Sequence, residues 1–299
     1  MKLLKIKIVE TMIDIKDITM DNVDKLCCNA IAVYMNDPKE IVLLCQRLNL
    51  IATSVPHTCS GIDRFLNLQN LKAAKDKVVF RCPKCKFHQS VRIGTFFEYS
   101  KLDIWKILQI ILMVDTKSDN TKNMMQQLDI TEKTAVDWRN FVRDVFADKI
   151  LRDNVKIGGK GVEVQIDESH FVKRKYNRGT ILRNQDVWVF GGIDETGEAF
   201  MQTVPDRKRV TLLAIIKERI LPGSIIISDE HMSYRTLQNE GYQHHTVCHK
   251  YEFVNTTGHH TQRIESIWGA AKRDCNAVTN KRKNLLDSYL CQYLFKRKY

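Results

Sequence analysis

The segment that decides the fold reads Val162-Glu163-Val164-Gln165-Ile166-Asp167-Glu168-Ser169-His170. Apolar and polar residues alternate along it, which predicts a β-strand, and the glycine-rich stretch 158–161 separates it from the preceding chain. A second β-branched run, Ile225-Ile226-Ile227-Ser228, also ends in an acid, Asp229. Side chains at strand ends are held more rigidly than side chains in loops, so these two strands predict an acidic site at one edge of a sheet.

The elements around these strands follow a recognisable order. Strand-like runs cover 186–193 and 199–204, a helix covers 210–220, a short strand covers 244–247, and a final helix begins near Gln262 and contains Glu265. Strand, hairpin, helix, strand, short strand and helix is the ribonuclease-H-like pattern. We therefore predict an α/β chain whose catalytic domain, residues 160–299, is RNase H-like, with a mixed sheet and flanking helices.

Three acids in this order favour metal-dependent chemistry at phosphorus. Asp167, Asp229 and Glu265 would hold two divalent cations such as Mg²⁺, which prefer carboxylate oxygens and clamp the attacking and leaving oxygens of an in-line displacement. Taken alone, each acid is more simply a solvated surface residue. The rival carboxylates are Glu163, Glu168, Glu230, Asp194 and Asp206. We expect Glu163 to share a face with Asp167, and Glu168 and Glu230 to turn away.

Two histidines, His249 and His260, precede Glu265 and are candidates for positioning a phosphate or a water. The alternative is an ordinary surface or core histidine.

The front half of the chain predicts three smaller regions. Residues 1–50 form a helical region in which two short helices are split near Asn36-Asp37-Pro38, and residues 51–98 form a zinc-ribbon-like domain. Cys82-Pro83-Lys84-Cys85 has the spacing of a zinc knuckle, but upstream Cys59 stands alone because Ile62 occupies the partner position. His57 and His88 are the nearest substitutes. Two alternatives stay open: an occupied Zn²⁺ site of Cys59, Cys82 and Cys85, or a degenerate ribbon held by packing.

Residues 99–152 predict a helix-turn-helix bundle. A helix over 102–114, a short helix through 124–128 and a long helix capped by Thr131 are separated by polar turns. Arg139 and Arg143 on the long helix are candidates for phosphate contacts. The alternative is a three-helix bundle that does not touch DNA.

Composition restricts the class of protein. The 299 residues carry 47 basic and 35 acidic side chains, a net charge of +12 that favours a polyanionic partner such as nucleic acid. No stretch approaches the roughly 18 apolar residues of a membrane span, and the charged N-terminus is unlike a signal peptide. Nine cysteines in a chain without a secretion signal favour thiols or metal ligands over disulfides. We expect an intracellular protein that is not secreted and has no membrane partner.

Several blocks resemble a known family. The stretch 156–179 around Asp167, the stretch 187–193, the block Ile227-Ser228-Asp229, and the block from His260 to Lys272 are similar to Merlin-type DDE transposases and their bacterial insertion-sequence relatives. Residues 81–85 and 92–97 are similar to the family's zinc-ribbon block, and the resemblance covers about 45–298. The departures are Ile62, Cys248 in place of an asparagine, Gln262 in place of another, and a missing aromatic at His231-Met232.

The resemblance implies a cut-and-paste transposase. Asp167, Asp229 and Glu265 would hold Mg²⁺ or Mn²⁺, and the partner would be double-stranded DNA, at terminal inverted repeats and at the target. DNA phosphates near the site would be contacted by Lys173, Arg174, Lys175 and Arg178. Two other hypotheses remain: a domesticated or decayed copy that binds DNA without cutting it, and a nuclease without strand transfer. A homodimer is one option, because two DNA ends must be held together. Residence would be nuclear in a eukaryotic host and cytoplasmic otherwise.

Overall fold

The computed structural model describes residues 14–171, 187–247, 261–275 and 285–299 of a mixed α/β chain. The chain forms two compact units that divide between Asn140 and Phe141. Among the described helices, none combines the length and the apolar character that crossing a bilayer would require.

The first unit begins with two short helices, α1 (Cys28–Val33) and α2 (Pro38–Arg47). Proline is favoured at the first position of a helix, where its missing N–H is not needed. Asp37 precedes it and accepts a hydrogen bond from the backbone N–H of Glu40 at 3.2 Å. The predicted split between two helices at Asn36-Asp37-Pro38 is confirmed.

A four-stranded antiparallel sheet follows, made of β1 (Val55–Cys59), β2 (Ile62–Asn70), β3 (Val78–Arg81) and β4 (His88–Ser90) in that order. Ser60 and Gly61 connect β1 to β2 with φ angles of 54° and 75°. Positive φ at both central residues is the requirement of the tightest hairpin turn. The β1–β2 hairpin was not predicted from the sequence, because β1 and β2 bury few apolar side chains.

A buried ion pair closes this sheet region. The guanidinium of Arg92 donates to both carboxylate oxygens of Asp76, at 2.7 and 2.5 Å, and to the backbone oxygens of Ser100 and Leu102. The two charged residues are only 5% and 7% exposed.

Three helices complete the predicted bundle region: α3 (Ile104–Asp115), α4 (Thr121–Leu128) and α5 (Glu132–Asp153), of which α5 runs past the division between the units. Asp129 ends α4 in the left-handed region, with φ of 47°. The hydroxyl of Thr131 accepts from the backbone N–H of Thr134 at 3.2 Å and caps α5. The three predicted helices and the predicted cap are confirmed.

The second unit contains a five-stranded mixed sheet. Its strands and those of a small two-stranded sheet are β5 (Ile157–Gly158), β6 (Glu163–His170), β7 (Trp188–Asp194), β8 (Ala199–Val204), β9 (Ile220–Leu221), β10 (Ile225–Ser228) and β11 (Gln243–Thr246). The order of the large sheet is β11-β10-β6-β7-β8, in which β6, β10 and β11 are parallel and β7 is antiparallel to both of its neighbours. All five strands predicted from the sequence are present. The β5–β9 pair was not predicted.

Helices cover both faces of this sheet: α6 (Arg209–Arg219), α7 (Gln262–Cys275) and α8 (Leu286–Lys298). Val164 and Ile166 of β6 lie in a core with Leu212 of α6. A second core contains Ile264 and Trp268 of α7 and residues of α8. Because successive side chains of a strand point to opposite faces, the odd-numbered residues of β6 face α7.

Candidate active site

The difference in length between β6 and β10 brings two of the predicted acids together. The strands pair in parallel with Ile227 opposite Gln165, and β10 ends one residue later at Ser228. In this register Asp229 corresponds to Asp167, at a point where β10 has ended and β6 continues. Carboxylate oxygens of Asp167, Glu168 and Asp229 all lie within 4.8 Å of one another. Such a group of hard oxygen donors is suited to Mg²⁺ or Mn²⁺.

A buried tryptophan holds Asp167. The indole Nε1–H of Trp268, on α7, donates to Oδ2 of Asp167 at 3.0 Å. The ring reaches this position because the residue opposite Asp167 on β7 is Gly191. A Cβ atom at Gly191 would lie 2.8 Å from the Trp268 ring and 3.0 Å from the backbone oxygen of Phe200. Glycine is therefore required for the close approach that places the indole against the carboxylate.

Glu168 differs from the expectation that it turns away from the site. Its carboxylate accepts a hydrogen bond of 2.5 Å from the hydroxyl of Tyr234, which is 1% exposed, and it joins the acidic group. The strand period explains how both neighbours take part: Asp167 is held from the α7 face and Glu168 from the opposite face. Asp229 accepts the backbone N–H of His231 at 3.0 Å. Glu230 is exposed.

Burial and nearby charge raise the pKa values of Asp167 and Glu168. Burial, followed by the charges of Glu168 and Asp229, raises the pKa of Asp167 to about 7, although the Trp268 N–H opposes the change. Burial and the charge of Asp229 also raise the pKa of Glu168, against the hydrogen bond from Tyr234 and the nearby Arg207. The site thus resists the accumulation of negative charge, which is the electrostatic condition that a divalent cation relieves.

Alternate residues of β6 also fix the position of α7. Arg263 forms an ion pair with Glu163 at 3.1 Å, and the buried Gln165 side chain accepts the backbone N–H of Ile264 at 3.1 Å. With the Trp268 bond to Asp167, three contacts join one strand face to the start of the helix. The expected shared face of Glu163 and Asp167 is confirmed.

Glu265 lies in the first turn of α7, on the same helix as these contacts. Its side chain is exposed and accepts a hydrogen bond from the Thr261 hydroxyl at 3.3 Å. Within the described residues, the group of acids that the structure brings together contains Glu168 and not Glu265. The assignment of Glu265 as the third metal ligand stays a prediction.

The predicted DNA contacts on α5 have different outcomes. Arg143 is only 2% exposed, donates to the Ser288 hydroxyl at 3.0 Å and stacks 3.9 Å over the ring of Tyr289. A buried guanidinium with these partners packs the unit and does not face phosphate, so the prediction for Arg143 is corrected. Arg139 is partly exposed and forms an ion pair of 2.7 Å with Asp119.

Other predicted residues lie outside the described part of the chain. These are Lys173, Arg174, Lys175, Arg178, His249 and His260.

In the first unit the structure brings together a cysteine–histidine cluster. His57, Cys59, Cys82 and Cys85 place their ligand atoms within 4.8 Å of one another. His57 Nε2 lies 3.2 Å from Cys85 Sγ, and its ring stacks on Phe87 at 4.7 Å. Hydrogen bonds from the backbone N–H groups of Cys85 and Lys84 lower the pKa of Cys82 to about 7, against its desolvation.

The sequence did not identify Trp268 or Tyr234 as site residues, and it led us to expect that Glu168, a rival carboxylate, turns away. Glu168 could have been found, because β6 extends beyond the end of β10 and both of its consecutive acids, Asp167 and Glu168, can then reach the site. Trp268 follows Glu265 by three residues and therefore lies on an adjacent part of the same helix face. Tyr234 lies in a 3₁₀ turn, Met232–Tyr234, whose position beside Glu168 has no local pattern.

Parts of this chain are similar to known transposases. Residues 150–298 match the family model of the ISXO2-like transposase domain. An "uncharacterized transposase-like protein" of Haemophilus influenzae is 28% identical over 100 residues, which are 33% of this chain and 80% of that protein. Together these matches support a transposase family, without separating Merlin-type members from their relatives.

Two solved structures show low similarity. A chain of the simian T-cell lymphotropic virus intasome in complex with PP2A regulatory subunit B56 gamma has a TM-score of 0.31 at 13% identity, over 57% of this chain and 59% of that chain. A chain of a pre-cleavage Mos1 transpososome has a TM-score of 0.23 at 9% identity, over 64% of this chain and 76% of that chain. Scores this low carry no argument about activity.

Proposed function

We propose that this chain is a DDE-type DNA transposase that cleaves DNA strands at terminal inverted repeats and joins the freed 3′ ends to target DNA. The observation that carries the proposal is the meeting of Asp167, within β6, and Asp229, directly after the neighbouring parallel strand β10. Both acids lie within residues 150–298, which match a transposase domain.

The arrangement of the sheet supports an RNase H-like catalytic domain. In the five-stranded sheet, β6 is the central strand. The hairpin strands β7 and β8 lie on one side of it, and the parallel strands β10 and β11 lie on the other. Along the chain, the elements follow one another in the order that the sequence pattern predicts for that fold. Ends of parallel strands place side chains at the same sheet edge, which suits a site built from several strands.

The residues fit divalent metal ions of the Mg²⁺ or Mn²⁺ type. Asp167, Asp229 and Glu265 are the proposed ligands, with Glu168 as a rival for the third position. When bound, such ions stabilise the attacking and leaving oxygens of a displacement at phosphorus. Trp268 and Tyr234 hold the carboxylates of Asp167 and Glu168 in fixed orientations. This orientation limits the rearrangement that metal binding would otherwise require.

Double-stranded DNA is the proposed partner. The net charge of +12 favours a polyanion, and the exposed Arg207 lies 3.9 Å over the Trp188 ring on β7. Its charge acts on Glu168, so it lies near the acidic group. Arg207 is therefore suited to a phosphate approaching the site, together with the proposed contacts of Lys173, Arg174, Lys175, Arg178 and Arg139. A homodimer would hold two DNA ends together.

A cleavage assay tests the proposal. Purified protein is incubated with Mg²⁺ and DNA carrying the inverted repeats that flank the coding sequence. We expect the natural sequence to nick this DNA. The cleavage rate of Asp229→Asn should be lower by a factor of about 1000 or more, which is equivalent to about 4 kcal/mol in the activation barrier. Glu230→Gln is the matched control, because this exposed acid is the next residue, and its cleavage rate should change less than about twofold.

A second candidate is a protein that has kept the fold and binds DNA without cutting it. It is favoured by one observation: Glu265 is exposed and, among the described residues, is not part of the group of acids whose oxygens lie within 4.8 Å of one another. Binding of the repeat DNA without cleavage by the natural sequence would select this candidate. Cleavage that survives Asp229→Asn would overturn the assignment of the acids.

A further inference from the structure

We propose that the first unit holds one structural zinc ion in a Cys₃His site, in which His57 replaces the ligand that a complete pair of cysteine knuckles would supply from position 62. The ligands would be His57, Cys59, Cys82 and Cys85. This inference is independent of the proposed transposase activity, because no acid of the second unit takes part in it.

The hairpin between β1 and β2 explains why position 62 does not contribute. Ser60 and Gly61 form a two-residue turn, so Cys59 and Ile62 are directly paired across the strands. Ile62 is 51% exposed, whereas Cys59 is 2% exposed. A tight hairpin therefore occupies the place of a second cysteine knuckle. Of the two residues that flank its turn, Cys59 is buried and Ile62 faces solvent.

The strand period supplies the replacement. His57 and Cys59 are two residues apart on β1 and therefore lie on the same face. The neighbours Pro56 and Thr58 are exposed, in agreement with this alternation. A histidine two residues before the cysteine can thus reach the ion that the cysteine binds, with no change in the hairpin.

The second half of the site is an intact knuckle after β3. The backbone N–H of Cys82 donates to the oxygen of Phe87 at 2.9 Å, and the N–H of Lys86 donates to the oxygen of Cys82 at 3.2 Å. This turn places Cys82 and Cys85 beside the hairpin. Phe87, which follows it, stacks on the imidazole of His57 with the ring planes 5° apart and so restricts the orientation of that ring.

The dimensions fit a tetrahedral ion. Zinc bonds of about 2.0 Å to nitrogen and about 2.3 Å to sulfur give a nitrogen–sulfur edge of about 3.5 Å. The His57 Nε2 to Cys85 Sγ distance is 3.2 Å, and all four atoms lie within 4.8 Å. Four protein ligands leave no open coordination position, which is the property of a structural site and not of a catalytic one.

His88 provides a matched control. It lies on β4 of the same sheet, opposite Arg81 on β3, and its side chain is exposed and outside the cluster. Both histidines were candidates on the sequence alone. The structure selects His57, so the two alanine variants separate a specific ligand from a general loss of a nearby imidazole.

Zinc content and cobalt substitution test the site in the full-length chain. We expect about one tightly bound zinc per chain, and a cobalt-loaded protein with thiolate-to-metal charge-transfer absorption. Chelator competition should show that His57→Ala lowers zinc affinity by more than the roughly 10- to 100-fold typical of an outer-shell partner. His88→Ala should leave it within about twofold.

His57→Cys keeps the experiment decisive if His57→Ala folds poorly. A thiolate at position 57 is a zinc ligand, so this variant should retain stoichiometric zinc and tetrahedral cobalt absorption. The proposal is overturned if the natural sequence binds no zinc or cobalt through thiolates. It is also overturned if His57→Ala binds zinc as tightly as the natural sequence does.

Discussion

The two candidate metal sites of this chain are supported in different ways. The acidic group of the second unit depends on buried aromatic donors from distant parts of the chain: Trp268 is 101 residues from Asp167, and Tyr234 is 66 residues from Glu168. The cysteine–histidine cluster comes from two nearby turns, with His57 and Cys85 separated by 28 residues, and its histidine rests on a partly exposed ring. A local site tolerates the displacement of one ligand along its strand, whereas the acidic site depends on strand register.

The largest expected effect is on the folding stability of the first unit, through its buried Asp76–Arg92 ion pair. Asp76→Ala removes one partner of the buried pair with Arg92 and leaves a guanidinium that is 7% exposed without its counter-charge. Such changes cost about 3–5 kcal/mol of folding free energy. We expect this loss in denaturant unfolding even with saturating zinc. Asp148→Ala, in an exposed helical pair with Arg152, should cost less than about 0.5 kcal/mol. A small effect of Asp76→Ala would mean that the metal alone holds the sheet.

The acidic site predicts a pH dependence of the second unit. The pKa of Asp167 is raised to about 7 from an ordinary value of 3.8, so the folded protein holds this proton more tightly than the unfolded chain does. The stability that depends on protonated Asp167 is fully present below about pH 4 and is lost as the pH rises through about 7. Each pKa unit corresponds to about 1.4 kcal/mol. In the absence of metal, the free energy of unfolding should therefore be higher at pH 5 than at pH 8, by up to a few kcal/mol.

Unfolding with a chelator present, followed by the same measurement with Mg²⁺, checks this expectation. Saturating Mg²⁺ should remove most of the loss at pH 8, because the cation offsets the mutual repulsion of the carboxylates. Asp167→Asn should flatten the profile, and Glu230→Gln should leave it unchanged. A natural protein that is more stable at pH 8 than at pH 5 without metal would contradict the burial of Asp167.

This contrast also explains what the sequence could predict. The strands β6 and β10 were recognisable because buried apolar residues alternate or cluster in them. An acid stands within β6 at Asp167 and directly after β10 at Asp229. The β1–β2 hairpin was missed because His57 and Cys59 stand at positions of β1 where a half-buried strand would carry apolar residues. The burial of Arg143 was equally invisible, since its partners Ser288 and Tyr289 lie more than a hundred residues away.

The support of Asp167 should have an intermediate effect. Trp268→Phe keeps an aromatic ring over Gly191 but removes the N–H that donates to Asp167. Loss of an outer-shell hydrogen bond typically lowers metal affinity by about 10- to 100-fold. We expect a shift of this size in Mn²⁺ binding measured by calorimetry, with zinc binding in the first unit unchanged. Trp188→Phe is the matched control, because this tryptophan is paired with His170, three residues along β6 from Asp167, and stacks under Arg207. An unchanged Mn²⁺ affinity in Trp268→Phe would show that the indole only fills space.

The smallest effect concerns the corresponding support in the first unit. Phe87→Leu keeps an apolar side chain but removes the stacked ring that orients His57. Aromatic pairs contribute about 0.5–1.5 kcal/mol beyond their buried area, and Phe87 is 47% exposed, so the lower end of that range applies. We therefore expect zinc affinity, measured by chelator competition, to fall only about two- to threefold. Phe65→Leu, at an exposed ring on β2 outside the cluster, should have no effect. A loss in Phe87→Leu as large as that of manganese in Trp268→Phe would mean that both sites depend equally on their aromatic supports. The contrast between a locally built site and a register-dependent one would then fail.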